Sequence, residues 1–402
     1  MSLDQISFYK QKLKAAHDDI DPQATGIIKR LKESNFDGYI VGGAVRDLLV
    51  GLKPKDFDIA TNALPNEVKK KVSYCFIIGR RFKLVHARRG DKIFEIATYR
   101  REAKPEELST EVSIDLPFVE ENFFGNLKED SFRRDFTVNA LFYDPTTEEL
   151  VDYCGGLSDI HTQTLRMIGD PTERIKEDPI RILRAIRLSQ KLTFQLESTL
   201  REAILLNSEE IQKGVSPRRR EEWIKFFRLE NIESALWDLF DLDIFKQVLP
   251  SFHELFQNEN QREEFLCYTR KFDELGFNFH DTVELFAAVI YSYLLATNDH
   301  YLKIKIRELS DDKKFQDFCK DELGAFKAEM ISIEICIGFI YYLTKKETYI
   351  TKGERRQKAL LNNPHFNLAL KLGLLSGELT SIDFDFWMSE KERYANLENP
   401  TI

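Results

Sequence analysis

The chain has 402 residues, 43% hydrophobic and 12% aromatic, enough to bury a large core in two or more domains. Its five cysteines (Cys75, Cys154, Cys267, Cys319, Cys336) are odd in number, far apart and without a C-x-x-C pair, which argues against a disulfide framework or zinc site and for a reducing cytoplasm. The net charge of −9 argues against a uniformly basic nucleic-acid binder, but the first hundred residues hold 19 Lys and Arg against 12 Asp and Glu, and the remainder 39 against 55.

In chain order, residues 5–34 show helical spacing that ends near Asn35-Phe36-Asp37-Gly38. Tyr39-Ile40-Val41 then reads as a strand feeding a Gly42-Gly43 turn, with a short helix over 44–50 and a strand over 56–60. Leu64-Pro65-Asn66-Glu67 opens another helix, with proline near its first turn. Two β-rich runs, 76–79 with 83–88 and then 92–98, are separated by the turn signal Arg89-Gly90-Asp91. Residues 101–122 are polar and acidic without periodicity and read as a mobile loop. From Ile160 helical periodicity dominates. The N-terminus lacks a basic region followed by an apolar run, so no signal peptide is expected. Leu285–Leu295 and Ile331–Leu343 are too short to span a bilayer and read as buried helices, so no membrane partner is expected. The expected architecture is α+β: a small α/β head over 1–150, a helical neck over 151–230 and a helical body over 231–402.

Three constellations carry chemistry. Gly42-Gly43-Ala44-Val45-Arg46-Asp47, followed by Asp56-Phe57-Asp58, combines a glycine pair, an arginine and two carboxylates one residue apart. The glycines let backbone N–H groups approach an anion, and Arg46 adds a positive fork. On a strand, the period of two puts Asp56 and Asp58 on one face, where they can hold divalent metal ions. Glu95 lies in the apolar run Ile93–Ala97, where an acid needs a partner. Either it joins Asp56 and Asp58 as a third catalytic carboxylate, or it pairs with Arg100 or Lys83. Arg80, Arg81, Lys83, Arg88, Arg89 and Lys92 crowd nearby, and as a cluster they suit a polyanion.

Second is Arg133-Arg134-Asp135-Phe136-Thr137-Val138-Asn139-Ala140, with guanidinium for phosphate and Asp135 and Asn139 for ribose hydroxyls. The third is Glu177-Asp178-Pro179-Ile180-Arg181, continuing through Arg184 and Arg187. On a helix Asp178, Arg181, Arg184 and Arg187 form one stripe, and an Asp–Arg pair can present donors and acceptors to a nucleobase.

With these motifs in place, the chain resembles the class II tRNA nucleotidyltransferase and bacterial poly(A) polymerase family. The G-G-x-x-R-D…D-x-D motif spans Gly42 to Asp58, R-R-D-F-T-x-N-[AS] spans Arg133–Ala140, D-x-x-G-G-x-x-D spans Asp152 to Asp159, and E-D-x-x-R is Glu177, Asp178 and Arg181. The resemblance implies a polymerase β-like nucleotidyltransferase head and an all-helical neck and body. It also implies two Mg²⁺ ions on Asp56 and Asp58, replaceable by Mn²⁺, with ATP as substrate. Gly42, Gly43, Arg46 and Arg134 would meet the triphosphate. Asp135, counted with the catalytic set, would read the ribose beside Asn139. Asp178 and Arg181 would read the base, supported by Arg184 and Arg187.

Ile77–His86 resembles the G-R-R-F-x-L-x-H signature of the poly(A) branch, and Leu360–Ala369 a later segment of that branch. The implied activity is therefore template-independent adenylation of RNA 3′ ends, in mRNA or tRNA. The alternatives are CCA (or A) addition to tRNA, which would use CTP as well, and a catalytically silent RNA-binding paralogue. The end Leu397–Ile402 carries no basic run, which implies a weak hold on long RNA. Ser216–Glu222 is charged but matches neither branch.

Overall fold

Two helices, not one, open the chain. The computed structural model describes residues 3–79, 83–102, 123–298, 309 and 311–398. Helix α1 (Leu3–Ala15) gives way to a 3-10 turn (His17–Asp19), and α2 (Pro22–Glu33) starts afresh. Pro22, at the first position of α2, has no N–H with which to continue an upstream helix, and the Asp21 carboxylate accepts the Gln23 N–H at 2.8 Å. Helical spacing alone hides that break.

The chain forms two interleaved compact units, Met1–Glu177 with Leu192–Ile204 and Asp178–Lys191 with Leu205–Ile402. The first is built on a seven-stranded sheet in the order β3-β4-β5-β2-β1-β6-β7. Its strands are β1 (Tyr39–Val41), β2 (Asp58–Thr61), β3 (Cys75–Ile78), β4 (Leu84–Arg89), β5 (Lys92–Thr98), β6 (Leu141–Asp144) and β7 (Glu149–Asp152). Only β2 and β5 run parallel, Ile59 aligning with Ile96; the other pairs are antiparallel. Helices α3 (Gly43–Val50), α4 (Pro65–Lys71) and α5 (Leu127–Phe132) lie between strands in sequence. One face of β2, β4 and β5 buries Ile59, Val85, Ala87, Phe94 and Ile96, while Asp58 and Glu95 remain exposed.

Strand β2 begins at Asp58, so Asp56 lies in its approach and not in the ladder. Exposure still alternates through Asp56, Phe57, Asp58 and Ile59, which keeps the two aspartates on one side. Helical structure does not run unbroken from Ile160: after α6 (Gly156–His161), β8 (Thr164–Leu165) pairs in parallel with β9 (Gln195–Leu196). Arg80, Arg81, Phe82, residues 103–122 and the last four residues lie outside the described residues, so the readings of the basic signature, the acidic loop and the chain end are not addressed by the structure.

Helix α7 (Pro171–Glu177) closes one part of the first unit, and α8 (Ile180–Leu192) begins the second. After α9 (Ser198–Leu206) and α10 (Ser216–Phe226), the second unit is helical. Its core centres on Phe252, whose ring lies 5.2 Å from Phe265, 5.5 Å from Phe245 and 5.8 Å from Phe318. Every residue from Leu285 to Ala296 in α11 (Thr282–Thr297) is buried, as that apolar run predicted. The Ile331–Leu343 run differs. In α12 (Lys327–Leu343) Ile333, Ile337 and Ile340 are buried while Ile331, Ile335, Tyr341 and Tyr342 are exposed, because only one face packs. Among the described residues no helix is long and apolar enough to cross a membrane.

Candidate active site

The carboxylate site follows from strand register. Aligning Ile59 with Ile96 sets Asp58 on β2 beside Glu95 on the adjacent β5, and both project from the exposed face. The Asp58 carboxyl stays within reach of solvent yet is closely surrounded by protein, and this crowding is the largest influence on its acidity. Burial, then the Glu95 charge, with a smaller push from Asp56, raises it to about 6 against a pull downward from Arg134. The structure thus gathers Asp56, Asp58, Glu95 and Arg134.

Glu95 is exposed, not buried as the apolar run suggested. Its partner is neither Arg100 nor Lys83 but His86, whose Nε2 lies 3.1 Å from Glu95 Oε1 across the β4–β5 ladder.

Gly42 closes β1 with φ 69° and ψ −128°, a conformation reserved for glycine, and α3 starts at the next residue without a side-chain cap. A Cβ at Gly42 would lie 3.4 Å from Arg134 Nη1. The first N–H groups of α3 therefore emerge beside Arg134, the arrangement that favours an anion. Arg134 is held by Asp130 at 2.9 Å and lies over the Phe142 ring, 4.9 Å to its centroid.

Arg46 differs from the open fork expected of it. Only 6% exposed, it bonds to Asp47 (2.8 and 2.6 Å), and its Nη1 donates to Asn139 Oδ1 at 2.5 Å. Asn139 in turn donates to Asp135 Oδ1 at 3.1 Å, which also accepts the Phe136 N–H at 2.9 Å. The chain Asp47–Arg46–Asn139–Asp135 ties the first motif to the second and fixes the Asp135 carboxylate.

The D-x-x-G-G-x-x-D segment latches onto Thr137, two residues after Asp135. Asp152 accepts the N–H groups of Cys154, Gly155, Gly156 and Leu157 at 2.8–3.1 Å. Gly155 sits at φ 82°, and a Cβ on Gly156 would fall 2.3 Å from the Thr137 carbonyl oxygen. Asp159 accepts the Thr137 hydroxyl at 2.6 Å, and Arg166 lies 3.3 Å from Asp159. Composition gave these residues no role; Gly156 marks a close approach and Gly155 a left-handed turn.

In the second unit, Arg181, Arg184 and Arg187 line the half-exposed face of α8 between the buried Ile182, Leu183, Ala185, Ile186 and Leu188, with Asp178 just before its start. The Asp178 carboxylate receives both Nη atoms of Arg218 from α10, at 2.9 and 2.7 Å. Arg187 Nε donates to the buried Glu222 at 2.7 Å. Arg218 and Glu222, in the segment that matched no motif, are partners of Asp178 and Arg187 that sequence reasoning missed.

Asp56 and Asp58 offer hard carboxylate oxygens, and among the described residues no group of three or more His, Cys, Asp or Glu is arranged to hold an ion alone. That donor set fits a dication which keeps open positions for phosphate oxygens, as Mg²⁺ does.

In the metal-free protein, Asp58→Asn should raise Tm at pH 7.5, because the wild-type carboxylate is charged there in surroundings that disfavour the charge. The folded value near 6 lies above the unstrained 3.8, so the wild type recovers stability as pH falls from 6 towards 4, and the difference shrinks. Thermal unfolding in EDTA from pH 4 to 8 measures it. A pH-independent difference would rule out the assignment.

A glycine turn into an uncapped helix, beside carboxylates on the open face of a mixed sheet, defines a nucleotidyltransferase head. Residues 38–166 match the family described as Poly A polymerase head domain, and residues 193–256 match the Probable RNA and SrmB-binding site of polymerase A. Over these segments the chain is similar to poly(A) polymerases and CCA-adding enzymes. It is 36% identical to Poly(A) polymerase I of Salmonella typhi over 247 residues, 59% of this chain and 52% of that one. With the CCA-adding enzyme of Lactobacillus helveticus it shares 36% over 207 residues, 52% of this chain and 50% of that one. The chain thus spans about half the length of the curated relatives it matches. The Bacillus stearothermophilus CCA-adding enzyme in complex with CTP superposes with a TM-score of 0.54 at 22% identity, over 94% of this chain and 98% of that one, a likeness of fold.

Proposed function

We propose that this protein is a template-independent RNA 3′-end nucleotidyltransferase that transfers AMP from ATP to RNA. The observation that carries this reading is the register that sets Asp58 beside Glu95, with Asp56, Arg134 and the open start of α3 around them. In the reaction the RNA 3′ oxygen bonds to the α-phosphorus of ATP, and the bond to pyrophosphate breaks. Asp56 and Asp58 would hold two Mg²⁺ ions, which supply charge neutralisation for the triphosphate and its leaving group. Glu95, oriented by His86, takes up or directs the proton of the attacking hydroxyl. The N–H groups at the start of α3, opened by Gly42 and Gly43, and Arg134 steady the triphosphate. Arg46 acts from beneath, through Asn139, on Asp135, which reads the ribose.

Asp178 and Arg181 present the base-reading edge, with Arg184 and Arg187 adding positive charge. Arg218 pairs with both oxygens of the Asp178 carboxylate at the surface, which orients it beside Arg181. The match to Poly(A) polymerase I, over 59% of this chain against 52% for the CCA-adding enzyme, favours adenylation. The 36% identity to CCA-adding enzymes keeps addition of CCA to tRNA as the competing reading.

Offering each nucleoside triphosphate singly to an unstructured RNA and to tRNA lacking its terminus separates them. Adenylation predicts ATP use on both RNAs with little CTP incorporation. CTP addition confined to the tRNA would overturn it.

A further inference from the structure

The sheet register that builds the carboxylate site continues outward to the sheet edge. Glu95 pairs with His86 on β4, and His86 with Phe76 on β3, so Asp58, Glu95, His86 and Phe76 form one transverse row on the exposed face. A second row lies alongside. Ile93 pairs with Arg88, and Arg88 N–H bonds to the Tyr74 carbonyl at 3.0 Å.

These residues do not look like a face meant for water alone. Phe76 is 60% exposed, Ile93 57% and Tyr74 79%, with Ile78 partly exposed beside them. Tyr74 also has φ 53°, a left-handed conformation that costs an aromatic residue energy and holds its ring away from the core. Arg88 stands exposed among them. Exposed rings at a sheet edge beside a guanidinium are the elements of a single-strand stacking platform, since every base has a π-face and the backbone seeks positive charge.

Resting on the proposed reading of the carboxylate site, we propose that this open face carries the last nucleotides of the RNA 3′ strand. Phe76 and Tyr74 stack bases, and Arg88 meets the backbone. Three strand intervals separate Asp58 from Phe76, about 14 Å at ~4.8 Å each. That is the length of about four stacked bases at ~3.4 Å. The terminal hydroxyl would thus reach Asp58 and Glu95 while upstream bases rest on the aromatic edge.

The test is equilibrium binding of a fluorescent 12-nucleotide oligoadenylate to the full chain in EDTA without ATP, so that it reads RNA contact and not catalysis. Phe76→Ala and Tyr74→Ala should each weaken binding about tenfold, Phe76→Leu should do nearly the same, and Phe76→Tyr should restore it. Arg88→Ala should flatten the salt dependence. Ile382→Ala, an exposed apolar position in the second unit, should change nothing, and an RNA duplex should compete poorly. The KM for ATP should stay at the parent value in the aromatic variants.

Unchanged oligonucleotide affinity in Phe76→Ala and Tyr74→Ala overturns the proposal. So does an aromatic-dependent dimer in sedimentation, which would make the face a contact between copies. A parent that binds RNA through these rings but adds no nucleotide leaves the surface standing and defeats the activity reading instead.

Discussion

Asp58→Ala should lower the rate of nucleotide addition by at least about 10³-fold, the equivalent of ~4 kcal/mol of transition-state stabilisation. Asp58 shares a face with Asp56 and a register with Glu95, so its loss removes one of two carboxylates able to hold a dication there. The change should leave folding intact, and in metal-free buffer the variant should be at least as stable as the parent, because a disfavoured charge disappears. Steady-state addition of ATP to an RNA primer, with thermal unfolding as the control, gives both readings. Addition at the parental rate by a well-folded Asp58→Ala protein would falsify the metal assignment. Raising the Mg²⁺ concentration should recover little, since the missing oxygen is a ligand and not a screening charge.

Gly156→Ala is expected to have the largest effect on stability of any single methyl added to the first unit. The new carbon would start 2.3 Å from the Thr137 carbonyl oxygen and 2.9 Å from its carbon, both backbone atoms that cannot rotate aside. Helix α6 must back away, which strains the four N–H bonds to Asp152 and the Asp159–Thr137 bond. Overpacking of this kind costs about 3 kcal/mol, or roughly 6–12 °C in Tm for a unit of this size. Gly155→Ala carries a different penalty: open space surrounds it, but its φ of 82° disfavours a side chain, so its loss should be near 1 kcal/mol. Thermal denaturation of the two variants separates contact from conformation. Equal losses would mean that the close approach to Thr137 does not matter.

Much of the first unit was legible because backbone geometry left its mark on residue type. Gly42 had to be glycine at φ 69°, and the Gly42-Gly43 pair marked the turn from strand into helix. The pairing of His86 with Glu95 was also within reach. The two-residue turn at Gly90-Asp91, with Gly90 at φ 60°, pairs Arg89 with Lys92 and counts back to His86 opposite Glu95. Weighing only Arg100 and Lys83 against the metal site concealed that partner.

Other features were hidden for a physical reason. Asp178 and Arg218 lie 40 residues apart, joined by tertiary packing that leaves no periodic trace. Arg46 looked like a free cation because its acceptors, Asp47 and Asn139, are a neighbour that usually faces away and a residue 93 positions on. Arginine, aspartate and asparagine are as common at solvated surfaces as in networks, so residue type alone could not choose.

The interleaving of the two units constrains how this gene can be remodelled. The polypeptide passes from one unit to the other at three places, after Glu177, Lys191 and Ile204. A crossover or stop codon anywhere between them would strip β9 from β8, or α8 from the helices it serves. The first unit therefore cannot be inherited as a detachable cassette ending at Glu177. Viable fusions and splits should break only beyond residue 204, where the path stops returning.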